Sequence, residues 1–421
     1  MDPNQIINEY INNSRVVTNS YFYIEERYQI PYEIIANRKD VPYDYPKLVL
    51  CYSLKKTCEQ IRINSRNSYL IYDVAIGRYL NNMNALILGK DIPKWNLEFF
   101  IKKCYAEAYY SIGDYSRAYI AKLYVDEIRN EEEATAIKKD FLNPQRILMV
   151  LFQELFIMLH EISHYRLSKL SKEDYQKMIN EKRSFLVNDD TIVRIVDTGK
   201  IDAVAKAELK DLENEKNVHL LGDLKKCIVD PDYWKSFYSY LQDYYSIDKN
   251  IEEIICDDYA MFSLIDLVKP LFSKLPIFVG DSFAKTKELP YSSCYLALQN
   301  VNYLIKIETD ARRISNPNII NKDNPYPFFA IPDVQHRKRC LIRAIIRHES
   351  ELNPDENNRI GIYWSLLAKR LDSKYDDFED VFQNNFSCLD KEKLFLDNIS
   401  DIDDEAMRRK VAISLAEIMC W

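Results

Sequence analysis

The chain has 421 residues and a formal net charge of −8, with 47% hydrophobic and 29% charged residues, 31 Tyr, only 7 Gly and only 5 His. It is long enough to bury a large core, and its balance is that of a folded chain, not a disordered one. Scarce Gly excludes phosphate-cradling loops of the GxGxxG and GxxxxGK[ST] types, and the acidic balance excludes a bulk nucleic-acid binder, because neutralising phosphates requires a basic surface.

The nine cysteines are scattered, with no CxxC pair, which predicts free thiols in a reducing compartment. The segment MDPNQIINEYINNS lacks the basic start and apolar run of a secretory signal, so a cytoplasmic chain is expected. The most apolar stretch, Ile147 to Ile162, carries Gln153, Glu154, His160 and Glu161. It reads as too short and too polar to span a bilayer, so no membrane partner is expected.

In chain order, residues 3–13 suit a short amphipathic helix, and Pro46 to Arg62 has apolar residues at helical spacing. Ser68 to Ile76 (SYLIYDVAI) is richer in β-type residues and is the best strand candidate. Trp95 to Asn130 reads as two helices broken at Gly113-Asp114, its tyrosines serving as core and half-buried packing with hydroxyls reaching water. Asn143-Pro144 opens a long helix, with Asn as N-cap and Pro at the first helical position, running to about Leu170. Residues 185–200 alternate enough for a hairpin or irregular insert. Helices are expected at 201–218, at 232–246 and from Asn250 to Val268. The Pro-rich stretch 316–332 suits an ordered loop before a basic helix from Asp333 to Ser350, and the tail from 360 suits acidic-polar helices.

Chemistry concentrates in His160-Glu161-Ile162-Ser163-His164. On a helix, His160 and His164 stand one turn apart on one face, where two imidazoles can share one Zn²⁺. Glu161 beside them is placed to take a proton from water instead of ligating. A random chain of this composition carries the pattern with a probability of roughly 0.004. Moreover, the turn sits within an apolar helix, where ionisable groups need partners.

A third ligand is sought in Glu252-Glu253-Ile254-Ile255-Cys256-Asp257. Glu253 and Asp257 are four apart, so both face one way; Glu253 could ligate while Asp257 accepts a hydrogen bond from a ligand histidine. Asn250 to Glu253 is also a capping box, in which Glu253 would bond the N-cap amide. Glu252 is the alternative ligand, and Cys256 is read as packing.

HEISH on a long apolar helix, followed by ExxCDxxA from Glu253 to Ala260, resembles the gluzincin class of zinc metallopeptidases, in which HExxH precedes E-x-x-[AC]-D-x-x-A. The resemblance covers Phe141 to Leu264. It implies His160, His164 and Glu253 as Zn²⁺ ligands, Glu161 as general base and acid, and Asp257 as the partner of a ligand histidine. The third His of the metzincin pattern is absent. Size, the missing leader and the Cys256-Asp257-Asp258-Tyr259-Ala260 turn look most like the phage-exclusion peptidases of the Lit type, which are cytoplasmic and act on host protein.

Gluzincin-like enzymes bring a later His, Tyr or Arg to the oxyanion, and His336 or Arg339 of the basic run 333–339 is the candidate; the alternative is a solvated basic face. His219 and His348 read as bystanders. The expected fold is mainly α (α+β at most), with a small sheet: an N-terminal mostly helical region at 1–140 that can hold the small sheet, as part of the catalytic fold or as a separate recognition lobe, a zincin-like core at 141–350 and a C-terminal helical region at 351–421. The expected function is intracellular, zinc-dependent cleavage of a protein substrate, held latent for an activating trigger or partner protein, as in an anti-phage or stress effector. The alternatives are a helical interaction or sensor protein with a structural or degenerate zinc site, and a metal-free helical protein. The substrate and the oligomeric state are not legible.

Overall fold

The computed structural model describes residues 5, 26–36, 45–51, 54–62, 68–89, 93–131, 144–195, 243–274, 288–316 and 334–384. Ten helices and three strands within them position the site: α1 (Glu26–Ala36), β1 (Lys47–Cys51), β2 (Cys58–Arg62), β3 (Ser68–Asp73), α2 (Ala75–Leu88), α3 (Lys94–Ile112), α4 (Tyr115–Glu131), α5 (Pro144–Leu167), α6 (Lys172–Ile195), α7 (Asp248–Lys274), α8 (Glu288–Ser315), α9 (Val334–Leu352) and α10 (Asn357–Asp372). The protein is mainly helical with one small sheet. By compactness it divides into residues 1–165 with 256–421, and residues 166–255.

The sheet has the order β1-β3-β2. All six residues of β3 are buried, as befits a central strand. β1 runs parallel to it, with Lys47 opposite Tyr69 and Cys51 opposite Asp73, and β2 runs antiparallel, with Cys58 opposite Tyr72 and Arg62 opposite Ser68. The helical spacing read over 46–62 is therefore corrected. Leu48, Val49 and Leu50 are a short apolar run that periodicity alone cannot assign, and pairing with β3 decides it for strand.

Gly113-Asp114 breaks the α3–α4 pair as the sequence predicts. Gly113 takes φ 90°, its N–H donates to Tyr110 O at 3.1 Å, and the Asp114 N–H donates to Tyr109 O at 2.9 Å. This double bond closes a helix through a left-handed residue. Asp114 then caps α4, its Oδ1 accepting the Arg117 N–H at 3.1 Å. Residues 185–195 are helical, not a hairpin. Ser171 caps α6 by accepting the Asp174 N–H at 3.1 Å, and a helix once nucleated propagates through β-branched residues that only mildly oppose it. The expected helices at 3–13 and 201–218, most of 232–246 and the loop 316–332 lie outside the described residues.

α5 begins at Pro144 and ends at Leu167, three residues earlier than expected, where 3₁₀-type bonds from Lys169 and Leu170 tighten the chain. It is the one helix among the described residues long and apolar enough to cross a membrane by length and composition, although most of that stretch is buried within the protein. Leu151, Phe152, Leu155, Phe156 and Leu159 pack into a core shared with α2, α3, α8 and α9.

Of the tyrosines read as packing residues at 95–130, Tyr105, Tyr109 and Tyr110 are buried in the core and Tyr115 and Tyr119 are half-buried, while buried tyrosines elsewhere take carboxylate and carbonyl partners. Tyr28 and Tyr72 donate to Glu154 at 2.6 and 2.9 Å, Tyr291 to Glu349 at 3.0 Å, Tyr295 to Asp372 at 2.8 Å, and Tyr303 to Glu379. Tyr79 donates to Asn300 O at 2.8 Å. These buried phenols are satisfied by carboxylates and a carbonyl. Burial first, and the partner carboxylates next, push Tyr72, Tyr291 and Tyr295 well above the ordinary phenol range.

Candidate metal centre

The site starts from helix geometry. His160 and His164 lie one turn apart on α5, their rings edge to face with centroids 4.9 Å apart and their Nε2 atoms 3.2 Å apart. Two nitrogens held ~2.0–2.1 Å from one tetrahedral Zn²⁺ stand about 3.3–3.4 Å apart. The pair is thus already spaced for a shared ion.

The other ring nitrogen of His160 is oriented from α7. Its Nδ1 lies 2.9 Å from Asp257 Oδ1, and Asp257 is 1% exposed. A carboxylate on Nδ1 fixes the proton there and leaves Nε2 as the acceptor, the tautomer a metal requires. Asp257 is held in turn by Arg337 of α9, whose Nε donates to Oδ2 at 2.7 Å and Nη2 to Oδ1 at 2.6 Å. Burial acts most strongly on Asp257 and pushes its pKa up, but Arg337 and His160 outweigh it and keep the carboxyl below the usual range.

Glu253 stands one turn before Asp257 on the same helix. One ligand atom from each of His160, His164 and Glu253 lies within 4.8 Å of the others. Two imidazoles and one carboxylate form a donor set that fits zinc, with a fourth position left for water. The capping-box alternative for Glu253 fails because α7 starts at Asp248. Asn250 therefore sits inside the helix, and its amide donates to Tyr244 O at 3.0 Å. Glu252, the other candidate ligand, accepts the Tyr175 hydroxyl at 2.7 Å. Cys256 is fully buried, as a packing residue should be.

Glu161 follows His160 on α5 and is half-buried. Burial pushes the Cys58 thiol at the start of β2 well up, and the charge of Glu161 raises it further.

The basic run on α9 resolves differently from either reading of it. Arg337, passed over in the sequence, is the residue that reaches the site. Lys338 is 1% exposed, bonded to Gln299 at 2.8 Å and to Asp372 at 2.5 Å, so the run is not a solvated face. His336 is buried with Nε2 3.5 Å from Cys340 Sγ, one turn along its own helix. His348 packs its ring against Phe262, centroids 5.2 Å apart, and His219 lies outside the described residues. The signal that could have found Arg337 is its place in a basic triplet one turn into an otherwise amphipathic helix.

Compared with protein-family models, with curated proteins and with solved structures, the chain finds no match.

Proposed function

We propose that the protein is a zinc-dependent hydrolase cleaving peptide bonds of a protein substrate. The observation that carries this reading is the convergence of His160, His164 and Glu253 with Asp257 bonded behind His160, while Glu161 stays outside the ligand set. A purely structural site has no use for a carboxylate placed beside its ligands as a general base. When bound, the metal would supply Lewis acidity, polarising a carbonyl and lowering the pKa of water toward ~7.

The chain's own residues do the rest. Glu161 takes the proton from the attacking water and returns it to the leaving amine. Asp257 and Arg337 keep His160 in one tautomer and one orientation. β2, at the edge of the described sheet, offers backbone groups on which an extended peptide can align. The buried free thiols Cys51, Cys104, Cys256, Cys294 and Cys340 support an intracellular site of action.

The test is metal content and cleavage measured together. Full-length protein expressed with ample zinc should carry about one equivalent per chain. His160→Ala should lose the metal, while Glu161→Gln should keep it and lose cleavage of the proteins that wild type cleaves in cells, read by N-terminal profiling. Less than about a tenth of an equivalent of zinc in wild type refutes the reading. Retained metal with identical profiles for wild type and Glu161→Gln would assign the centre to a structural role.

A further inference from the structure

Two features of α6 follow from its sequence. Ser171 Oγ accepts the Asp174 N–H at 3.1 Å and donates to the Asp174 carboxylate at 2.8 Å, which closes the first turn. Helical spacing then puts Tyr175, Ile179, Arg183 and Leu186 on one side. Ile179 and Leu186 are buried, Tyr175 and Arg183 are half-buried, and Lys177 and Glu181 on the opposite side are exposed.

The inner side of α6 grips the chain where it enters α7. Arg183 uses all three nitrogens of its guanidinium: Nε donates to Tyr245 O at 2.7 Å, Nη2 to Asp248 Oδ1, and Nη1 to Asn180 Oδ1 at 2.7 Å. Residues 243–246 form a short helical turn ahead of α7, and Tyr245 O is one of its last carbonyls, where a helix end supplies too few donors. Asp248 is the first residue of α7. One guanidinium thus spans the joint between the two helical segments. Asn250 ties the same joint from within, its amide donating to Tyr244 O at 3.0 Å. Further along α7, Glu252 Oε2 accepts the Tyr175 hydroxyl at 2.7 Å.

Glu252 and Glu253 are neighbours, and consecutive helical side chains diverge by about 100°. The rotation of α7 about its axis therefore decides which of the two faces the imidazoles, and it is Glu253 that does. Glu253 stands in the second turn of α7, close to the end at which helices open most readily. One turn later the rotation is held by Asp257, bonded to His160 Nδ1 at 2.9 Å and to Arg337. Before Glu253 the only holds named above are those of Asn250, Arg183 and Tyr175, and two of the three come from α6.

We infer that Tyr175 and Arg183 are positioning residues for the third metal ligand: they act through the first turns of α7 to present Glu253, and so couple the seating of α6 to the binding of metal. The inference rests on the metal reading above. Such coupling is reciprocal, so metal bound through Glu253 favours the seated α6 by the same factor that the seated α6 favours metal. Displacing α6 loosens the third ligand without touching either imidazole, which gives the centre a point of control away from its chemistry.

Zinc affinity of the full chain, measured by chelator competition, tests the inference. Tyr175→Phe and Arg183→Gln should each weaken zinc binding about three- to tenfold. Arg183→Lys should recover only part of the loss, because an ammonium cannot span the joint. In a Glu253→Gln background Tyr175 has no ligand to act through, so adding Tyr175→Phe should change affinity by less than about twofold, a non-additivity that a general loss of stability does not produce. Hydrogen exchange across residues 172–186 should slow when zinc is added to wild type. Unchanged zinc affinity in both Tyr175→Phe and Arg183→Gln, an equal effect of Tyr175→Phe with and without the Glu253 carboxylate, or exchange across 172–186 indifferent to zinc would overturn the inference and leave the metal reading intact. Wild type carrying less than about a tenth of an equivalent of zinc overturns both.

Discussion

Replacing Arg337 with Gln tests how the centre is built. The substitution removes two charge-assisted hydrogen bonds, at 2.6 and 2.7 Å, from a carboxylate whose side chain is only 2% exposed. Hydrogen bonds to charged groups contribute about 1.5–3 kcal/mol each, and breaking a buried pair by deleting one partner costs about 3–5 kcal/mol. The Arg337 side chain is 15% exposed, so water can enter to solvate Asp257 in part, and a loss of about 3 kcal/mol is expected. Asp257 would also turn less firmly toward His160, and loss of such a supporting partner commonly lowers metal affinity 10–100-fold. Urea denaturation of the metal-free protein measures the first quantity, and competition with a zinc chelator measures the second. Arg337→Lys should recover only part of both, because an ammonium cannot span both carboxylate oxygens. Stability within about 1 kcal/mol of wild type, together with unchanged zinc affinity, would refute the claim that the guanidinium holds the centre in place.

Three other outcomes follow from the structure. Gly77→Ala would place a Cβ 2.1 Å from Glu154 Oε1, which Tyr28 and Tyr72 already hold, so a loss of about 1–3 kcal/mol is expected in denaturant melts. Gly113→Ala should cost about 1–2 kcal/mol in the same assay, because φ 90° disfavours any Cβ. Folded Asp257 and Glu107 both titrate below their ordinary range; for Glu107, burial is the largest influence and raises its pKa, but Lys56 and then Lys103 outweigh it. Their stabilisation is therefore present above about pH 4 and fades as pH falls through the lowered folded values. Acid melts of the metal-free protein should show this limb, and Arg337→Gln should flatten it.

What the sequence made legible is what local spacing controls. HEISH could be read because four residues of helix put two imidazoles on one face, and Glu253 with Asp257 repeats the argument on a second helix. The Gly113-Asp114 joint was readable because one residue must adopt a left-handed conformation and the next must cap. The Arg337–Asp257 pair was not, since it joins residues 80 apart in sequence through the packing of α9 on α7, and a basic triplet looks the same whether solvated or buried. β1 and β2 escaped because five-residue strands carry too few alternations to outvote a helical pattern. Helix at 185–195 escaped because its cap lies at Ser171, well before the β-branched residues that suggested a hairpin.

The tyrosine–carboxylate pairs have a consequence for how this acidic chain tolerates its surroundings. A neutral phenol gives Glu154, Asp372 or Glu349 a donor without introducing a counter-charge, so these contacts belong to short-range hydrogen bonding and are little weakened by added salt. Alkali is where they yield. Free tyrosine ionises near pH 10, while the folded protein keeps Tyr72, Tyr291 and Tyr295 protonated far beyond that. The stabilisation is complete below the unfolded value and drains away as pH climbs above it, because only the opened chain can release those protons. The fold is thus built to withstand brine better than base.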